Sequence, residues 1–241
     1  MIKKIVKNIL HRFGKDIVPY DEYEKKLEPV KFNWLKSFNI NTIVDIGASD
    51  GGYAKKIRAI FPDARIFSFE VINDSYIKLK ERFKDDSKFQ AFNICLSNYN
   101  GHCDFFVNEY KGSSSMLNMS RLHKEAYPFT QKYQPIQVEC KTLDSFIEQN
   151  KLEFEENILL KLDVQGAEWM VLEGAQDILK RVKLIFMEVS FNTLYENSLL
   201  FSDTVIRMNQ LGFNVKGIEN ISQSLIDGTF LQADVYFVRN N

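Results

Sequence analysis

The chain of 241 residues is 45% apolar, 26% charged and 13% aromatic, which supports one globular domain with a sizeable core and excludes disordered, fibrous and repeat classes. Lys and Arg total 31 against 32 for Asp and Glu, so the net field supplies no general attraction for nucleic acid or anionic membrane, and a duplex-coating protein is disfavoured. No apolar run approaches the roughly 18–20 residues that span a bilayer, and the amino terminus lacks the apolar stretch of a signal peptide, so a cytoplasmic chain is expected.

In chain order, residues 1–15 come first. They carry Lys3, Lys4, Lys7, Arg12 and Lys15 without an acid, while Ile2, Ile5, Val6, Ile9, Leu10 and Phe13 recur at helical spacing. The spacing predicts a basic amphipathic helix, the start of an accessory helical segment over 1–40. It reads either as a docking helix for a partner or the inner membrane surface, or as a packed helix with a solvated basic face. From 41 to 241, short β-rich runs alternate with helical stretches, the signature of a doubly wound, mostly parallel α/β sheet. Strands are predicted at 42–46, 65–70, 89–93, 158–162 and 184–189, with helices at 53–60, 75–82, 167–180 and 202–211. Runs at 214–218 and 233–238 flank a short polar loop with Gly228, which predicts a final hairpin and one antiparallel strand closing the sheet. Residues 101–135 break the alternation. After a strand at 104–107 they turn polar, and they are expected to be an insertion acting as a lid. Cys95, Cys103 and Cys140 are odd in number and lack C-x-x-C spacing, so reduced thiols are expected rather than a disulfide framework or a zinc site.

Ile43–Gly52, IVDIGASDGG, is an apolar strand entering a Gly-rich turn and then a helix, the arrangement that brings backbone close to a ligand at a strand end. The spacing is not the G-x-G-x-x-G of dinucleotide folds, and Asp45 within the strand end suits an ammonium or sulfonium better than a pyrophosphate. Glu70 ends the second strand, 25 residues later, where an α/β fold holds a ribose through its hydroxyls. Asn93 to Ser97, including Leu96, follow the third strand and are placed beside an adenine ring. The fourth strand delivers Lys161, Asp163, Gln165 and Glu168 to a strand end and helix start, where open sheets bind ligands.

These residues resemble the FkbM-type S-adenosylmethionine-dependent methyltransferases over roughly 41–239. The likeness runs through DIGAxxG at Asp45 to Gly51, FE at Phe69 and Glu70, TLD at Thr142 to Asp144, KLDVQGAE at Lys161 to Glu168, VLxGA at Val171 to Ala175, MEV at Met187 to Val189 and ADVYF at Ala233 to Phe237. Two departures stand out: Ser49-Asp50 replaces a frequent Asn-hydrophobe pair, and Val71 stands where the family usually has Pro. The resemblance implies a Rossmann-like class I methyltransferase fold of seven strands and methyl transfer from S-adenosylmethionine to a hydroxyl, most often of a sugar, glycan or natural product. It implies a cofactor site of Asp45, Gly47, Ala48, Ser49, Gly51, Tyr53, Glu70, Val71, Asn93, Leu96, Ser97 and Asp163, with Asp45 and the glycine turn on the methionine part. Asp163 is the first choice for the base that removes the acceptor proton, with Glu188 and His123 as further candidates. Lys161, Gln165 and Glu168 are the expected acceptor contacts. Asp163, Glu188 and Asn192 offer hard oxygen ligands for Mg²⁺, but no ligand motif of fixed spacing is present and no metal is expected. The expected partner is a small-molecule or glycan acceptor and not nucleic acid, with a homodimer left open. A nucleic-acid methyltransferase would carry Pro-Pro and an aromatic after the fourth-strand acid, which is absent here, and the glycine spacing argues against a nicotinamide oxidoreductase. A binding protein that kept the fold without the chemistry is the remaining alternative. Tyr110, Tyr127, Phe129, Tyr133 and Tyr195 are candidate platforms for a sugar face.

Overall fold

The structure, a computed structural model, describes residues 2–16 and 32–240. The chain divides into two units, Met1–Ser37 and Phe38–Asn241. In the first, α1 (Ile2–Arg12) is the basic helix expected from the spacing; at its end Asp16 meets His11 Nε2 at 3.1 Å and Lys7 Nζ at 3.5 Å. Part of the expected accessory segment, residues 17–31, lies outside the described residues. A 3-10 helix follows at Asn33–Phe38. Among the described residues no helix is long and apolar enough to cross a membrane.

The second unit is built on β1 (Thr42–Ile46), β2 (Arg65–Phe69), β3 (Phe89–Phe92), β7 (Ile158–Leu162), β8 (Val182–Ser190), β9 (Phe213–Gln223) and β10 (Phe230–Arg239), in the spatial order β3-β2-β1-β7-β8-β10-β9. Every pair from β3 to β8 is parallel; β10 runs antiparallel to both β8 and β9. All five residues of β1 and of β7 are buried, as near-continuous apolar runs in the middle of a two-sided sheet must be. Val44, Ile46, Phe67, Phe69, Leu160, Leu162, Ile185 and Met187 form the middle of the core. Crossovers are α2 (Gly52–Ile60), α3 (Asn73–Arg82), α6 (Glu168–Glu173), α7 (Gln176–Leu179) and α8 (Phe201–Gln210).

Two features differ from the sequence expectation. The single helix predicted over 167–180 is two, broken at Gly174. There a side chain is excluded: a Cβ on Gly174 would meet the Ser97 carbonyl oxygen at 2.1 Å. Asp144 restarts the helix from outside, its carboxylate accepting from Asp177 N at 2.8 Å and Ile178 N at 3.0 Å. The second difference is the insertion, which is folded. β4 (Cys95–Leu96), β5 (Gly101–Asn108) and β6 (Tyr133–Lys141) make a separate sheet in the order β4-β6-β5, with α4 (Arg121–Ala126) between β5 and β6. The Ser- and Pro-containing composition hid β6, and α5 (Leu143–Gln149) after it was also missed; Thr142 Oγ1 caps that helix by accepting from Ser145 N at 3.2 Å.

Candidate active site

The carboxyl ends of β1, β2 and β7 open into a cleft lined by Ile46, Gly47, Phe69, Glu70 and Asp163. Its floor is the turn after β1. Gly47 has φ +75°, and a Cβ there would lie 1.9 Å from the Asp163 carbonyl oxygen, so the turn after β1 and the turn after β7 touch backbone to backbone. Replacing Gly47 by alanine is expected to cost about 2–3 kcal/mol, combining left-handed strain with the displaced turn. A thermal melt showing no loss of stability would refute the contact.

Glu70, 7% exposed, stands at the far side of the turn. Its two oxygens accept from Ser49 N at 2.8 Å and Ile72 N at 2.7 Å, while each retains a second lone pair toward the cleft. Burial pushes its carboxyl up; the two backbone donors and Lys161 pull the other way. Asn93 supports the turn from behind, its amide donating to the Glu70 carbonyl at 2.7 Å and the Val71 carbonyl at 2.8 Å. Val71, Ile72, Ile94, Leu96, Phe105 and Met116 make an apolar wall. The last two come from the insertion, whose Lys111, Gly112 and Ser114 also border the cleft, so this segment forms part of its lining. It is anchored there: Ser115 Oγ donates to the Gln165 carbonyl at 2.8 Å, and Ser120 N to the Leu194 carbonyl at 2.8 Å.

Asp163 closes the other end with its side chain 45% exposed. The Gln165 amide donates to Asp163 Oδ1 at 2.9 Å and to Glu188 Oε1 at 3.1 Å, while its own oxygen accepts from Tyr195 Oη at 2.8 Å. One amide thus holds two carboxylates from neighbouring strand ends, and Asp163 Oδ2 stays clear of it. Burial, followed by the nearby Asp163, drives the Glu188 carboxyl well above its ordinary value. Glu188 faces Asp234, its register partner on β10, whose carboxyl is raised to about 6, chiefly by burial.

Several expected residues have other surroundings. Asp45 is fully buried behind the turn, 3.1 Å from Lys161 Nζ and accepting from Ser68 Oγ at 3.4 Å. Burial raises its carboxyl against the pull of Lys161. Lys161, expected to touch the acceptor, is 4% exposed and turned inward: its ammonium donates to the Gly47 carbonyl at 2.7 Å, locking the turn. Burial disfavours its charge, but Asp45, Asp163 and Glu70 outweigh that and hold it above the ordinary lysine value. Glu168 is also turned from the acceptor side, accepting from Val164 N at 2.9 Å and Gly166 N at 3.3 Å; burial raises it to about 7. Tyr53 does not line the cleft, because its ring stacks on Phe186 at 5.4 Å. Ala48, Gly51 and Ser97 are buried behind it. Tyr195 is 1% exposed and presents no face to a sugar. Asn192 donates to the Phe230 carbonyl at 2.7 Å, and among the described residues no His, Cys, Asp and Glu are grouped to hold a metal ion.

His123, a candidate base, is buried at 2% exposure, its ring 4.8 Å from that of Tyr195 and both nitrogens without a hydrogen-bond partner. Burial lowers it to about 4, so it is neutral and packed away from the cleft. Between the ordinary value near 6.5 and about 4 the unfolded chain binds a proton that the folded chain does not. Stability is therefore expected to fall as the pH drops through that window, and His123→Phe to flatten the decline in melting temperature. An unchanged slope in the variant would assign the acid sensitivity elsewhere.

The seven-stranded order with its reversed β10, and a cleft of glycine turn, Glu70 and strand-end Asp163 at the carboxyl edge, define a Rossmann-like class I methyltransferase fold. The chain belongs to the FkbM methyltransferase domain family, whose model matches residues 45–215. It is 29% identical over 163 residues to the 2-O-methyltransferase NoeI of Sinorhizobium fredii (strain NBRC 101917 / NGR234), covering 65% of this chain; the match spans about two thirds (66%) of that relative's length. Similar solved structures include the magnesium protoporphyrin IX methyltransferase ChlM of Synechocystis PCC 6803 with bound SAM (8% identity, TM-score 0.45, 99% of this chain and 97% of that one). Another is the precorrin-6y C5,15-methyltransferase of Geobacter metallireducens GS-15 (12%, TM-score 0.43, 84% and 81%).

Proposed function

We propose that the chain is a cytoplasmic S-adenosylmethionine-dependent O-methyltransferase whose acceptor is a hydroxyl of a sugar, glycan or natural product. The observation that carries this reading is the single cleft in which Glu70 and an apolar wall stand at one end and the exposed Asp163 at the other. The donor set fits the cofactor: the free lone pairs of Glu70 suit a ribose diol, Val71, Ile72, Leu96 and Phe105 an adenine ring, and the acid-rich end a cation. When bound, the cofactor supplies a methyl group on a sulfonium, a good leaving group, so the chain's task is alignment and proton removal. Asp163 Oδ1 is held by the Gln165 amide and Oδ2 stands 3.6 Å from Lys161 Nζ, and Oδ2 is the atom that would accept the acceptor's hydroxyl proton. The family membership and the O-methyltransferase relative support oxygen as the methylated atom.

The test is calorimetric titration with S-adenosylhomocysteine beside NADH, followed by an acceptor screen begun with neutral sugars. Binding of the homocysteine compound alone is expected; preference for NADH would end the reading. With an acceptor in hand, Asp163→Asn is expected to lower turnover by 10²–10⁴, the usual worth of a positioned base. S-adenosylhomocysteine affinity should stay within about threefold. Full turnover in this variant would remove Asp163 as the base.

A further inference from the structure

All three cysteines of the chain, Cys95, Cys103 and Cys140, each on a different strand, meet on one face of the small β4-β6-β5 sheet, and none is in a disulfide. Cys95 and Cys140 are register partners on β4 and β6, and the Cys95 and Cys103 sulfurs lie 4.0 Å apart, reaching toward each other across β6. The pair is asymmetric. Cys95 is 2% exposed and its residue forms part of the cleft wall beside Leu96, whereas Cys103 is only half-buried and borders a separate surface depression with Tyr99, His102 and Gln137. The methyl-transfer reading uses none of these thiols.

We propose that Cys103 is a hydroperoxide-reactive thiol and that Cys95 resolves it into a disulfide, making this sheet an oxidative modification site coupled to the cleft. A half-exposed thiol poised beside a second, buried one is the arrangement of redox-sensing cysteines. The Cys95 thiol, as a hydrogen-bond donor, lowers Cys103 to about 7, which enriches the nucleophilic thiolate at neutral pH. In the first step the Cys103 thiolate attacks one oxygen of the hydroperoxide. The O–O bond breaks, the sulfur is oxidised by two electrons to a sulfenic acid, and the other oxygen leaves and, once protonated, is released as water or an alcohol. In the second step Cys95 Sγ attacks the Cys103 sulfur; the S–S bond forms, the S–O bond breaks, and hydroxide leaves with the Cys95 proton as water.

Coupling follows from the strand order. The Cys95 and Cys103 sulfurs stand 4.0 Å apart, whereas a disulfide holds them at roughly 2.05 Å. Closing the bond must draw the Cys95 side chain on β4 toward β5. β4 has two residues, Cys95 and Leu96, and both line the cleft. Oxidation therefore deforms the apolar wall.

The experiment treats the full-length reduced chain with hydrogen peroxide and maps its peptides without reduction. A Cys95–Cys103 cross-link with Cys140 still free is expected, together with at least tenfold weaker S-adenosylhomocysteine binding that dithiothreitol restores. Cys103→Ser should leave Cys95 and Cys140 reduced, and Cys95→Ser should leave a sulfenic acid at Cys103 that dimedone traps. Oxidation of Cys95 in the Cys103→Ser chain at the original rate, or a cross-link to Cys140 instead, would overturn the assignment. A cross-link with unchanged affinity would overturn the coupling. Failure of the reduced chain to bind the homocysteine compound would instead strike the methyltransferase reading, and peptide mapping would still decide the thiol chemistry.

Discussion

Lys161→Met is expected to lower folding stability by about 3–5 kcal/mol, the cost of leaving one member of a buried ion pair alone. Asp45 is fully buried and Lys161 is 4% exposed, with 3.1 Å between the charged atoms. Methionine keeps the length and apolar stem of lysine, so the loss would report the charge and its hydrogen bonds rather than a cavity. The ammonium also satisfies the Gly47 carbonyl, so the turn after β1 should loosen as well. Because an uncompensated carboxylate causes most of the damage, the double variant Asp45→Leu, Lys161→Met should recover at least half of the stability. Urea denaturation of the three chains checks this. A single variant within 1 kcal/mol of the parent would mean that Asp45 takes up a proton or reaches water, and the pair would then not hold the turn.

Glu70→Ala is expected to weaken S-adenosylhomocysteine binding by about 10²–10⁴. Two hydrogen bonds to a charged group at roughly 1.5–3 kcal/mol each set that range. Ser49 N and Ile72 N would also lose their acceptor, so the turns that shape the cleft lose their tie. Glu70→Gln separates the two effects: it keeps one acceptor oxygen for a backbone donor and should recover the melting temperature more than the affinity. Affinity unchanged in both variants would place the ribose elsewhere.

Much of this architecture was legible in the sequence. IVDIGASDGG fixes strand, turn and helix because an apolar run, a glycine at φ +75° and a following amphipathic stretch each admit few conformations. Glu70 and Asp163 were readable for the same reason: a polar residue ending a buried strand has the crevice as its only outlet. Period-based reading failed where the deciding partner is remote. Gly174 breaks a helical pattern because the Ser97 carbonyl presses on it, and β6 forms from a polar segment because β4 and β5 offer its backbone partners. Met116 and Phe105 gave no signal of their place on the cleft wall.

What the sequence determined by itself was the order of elements, the glycine turn and the acids at the strand ends, since these depend on local conformation and on burial alternating along the chain. Tertiary structure alone decided the tasks of the polar groups around Asp163. Lys161, Gln165 and Glu168 sit within eight residues of one another, yet one is tied inward to Asp45, one bridges Asp163 to Glu188, and one clamps its own turn. A side chain's task is set by the nearest unsatisfied partner in space, and for these three that partner comes from β1, from β8 or from the local backbone, a choice that spacing along the chain does not encode.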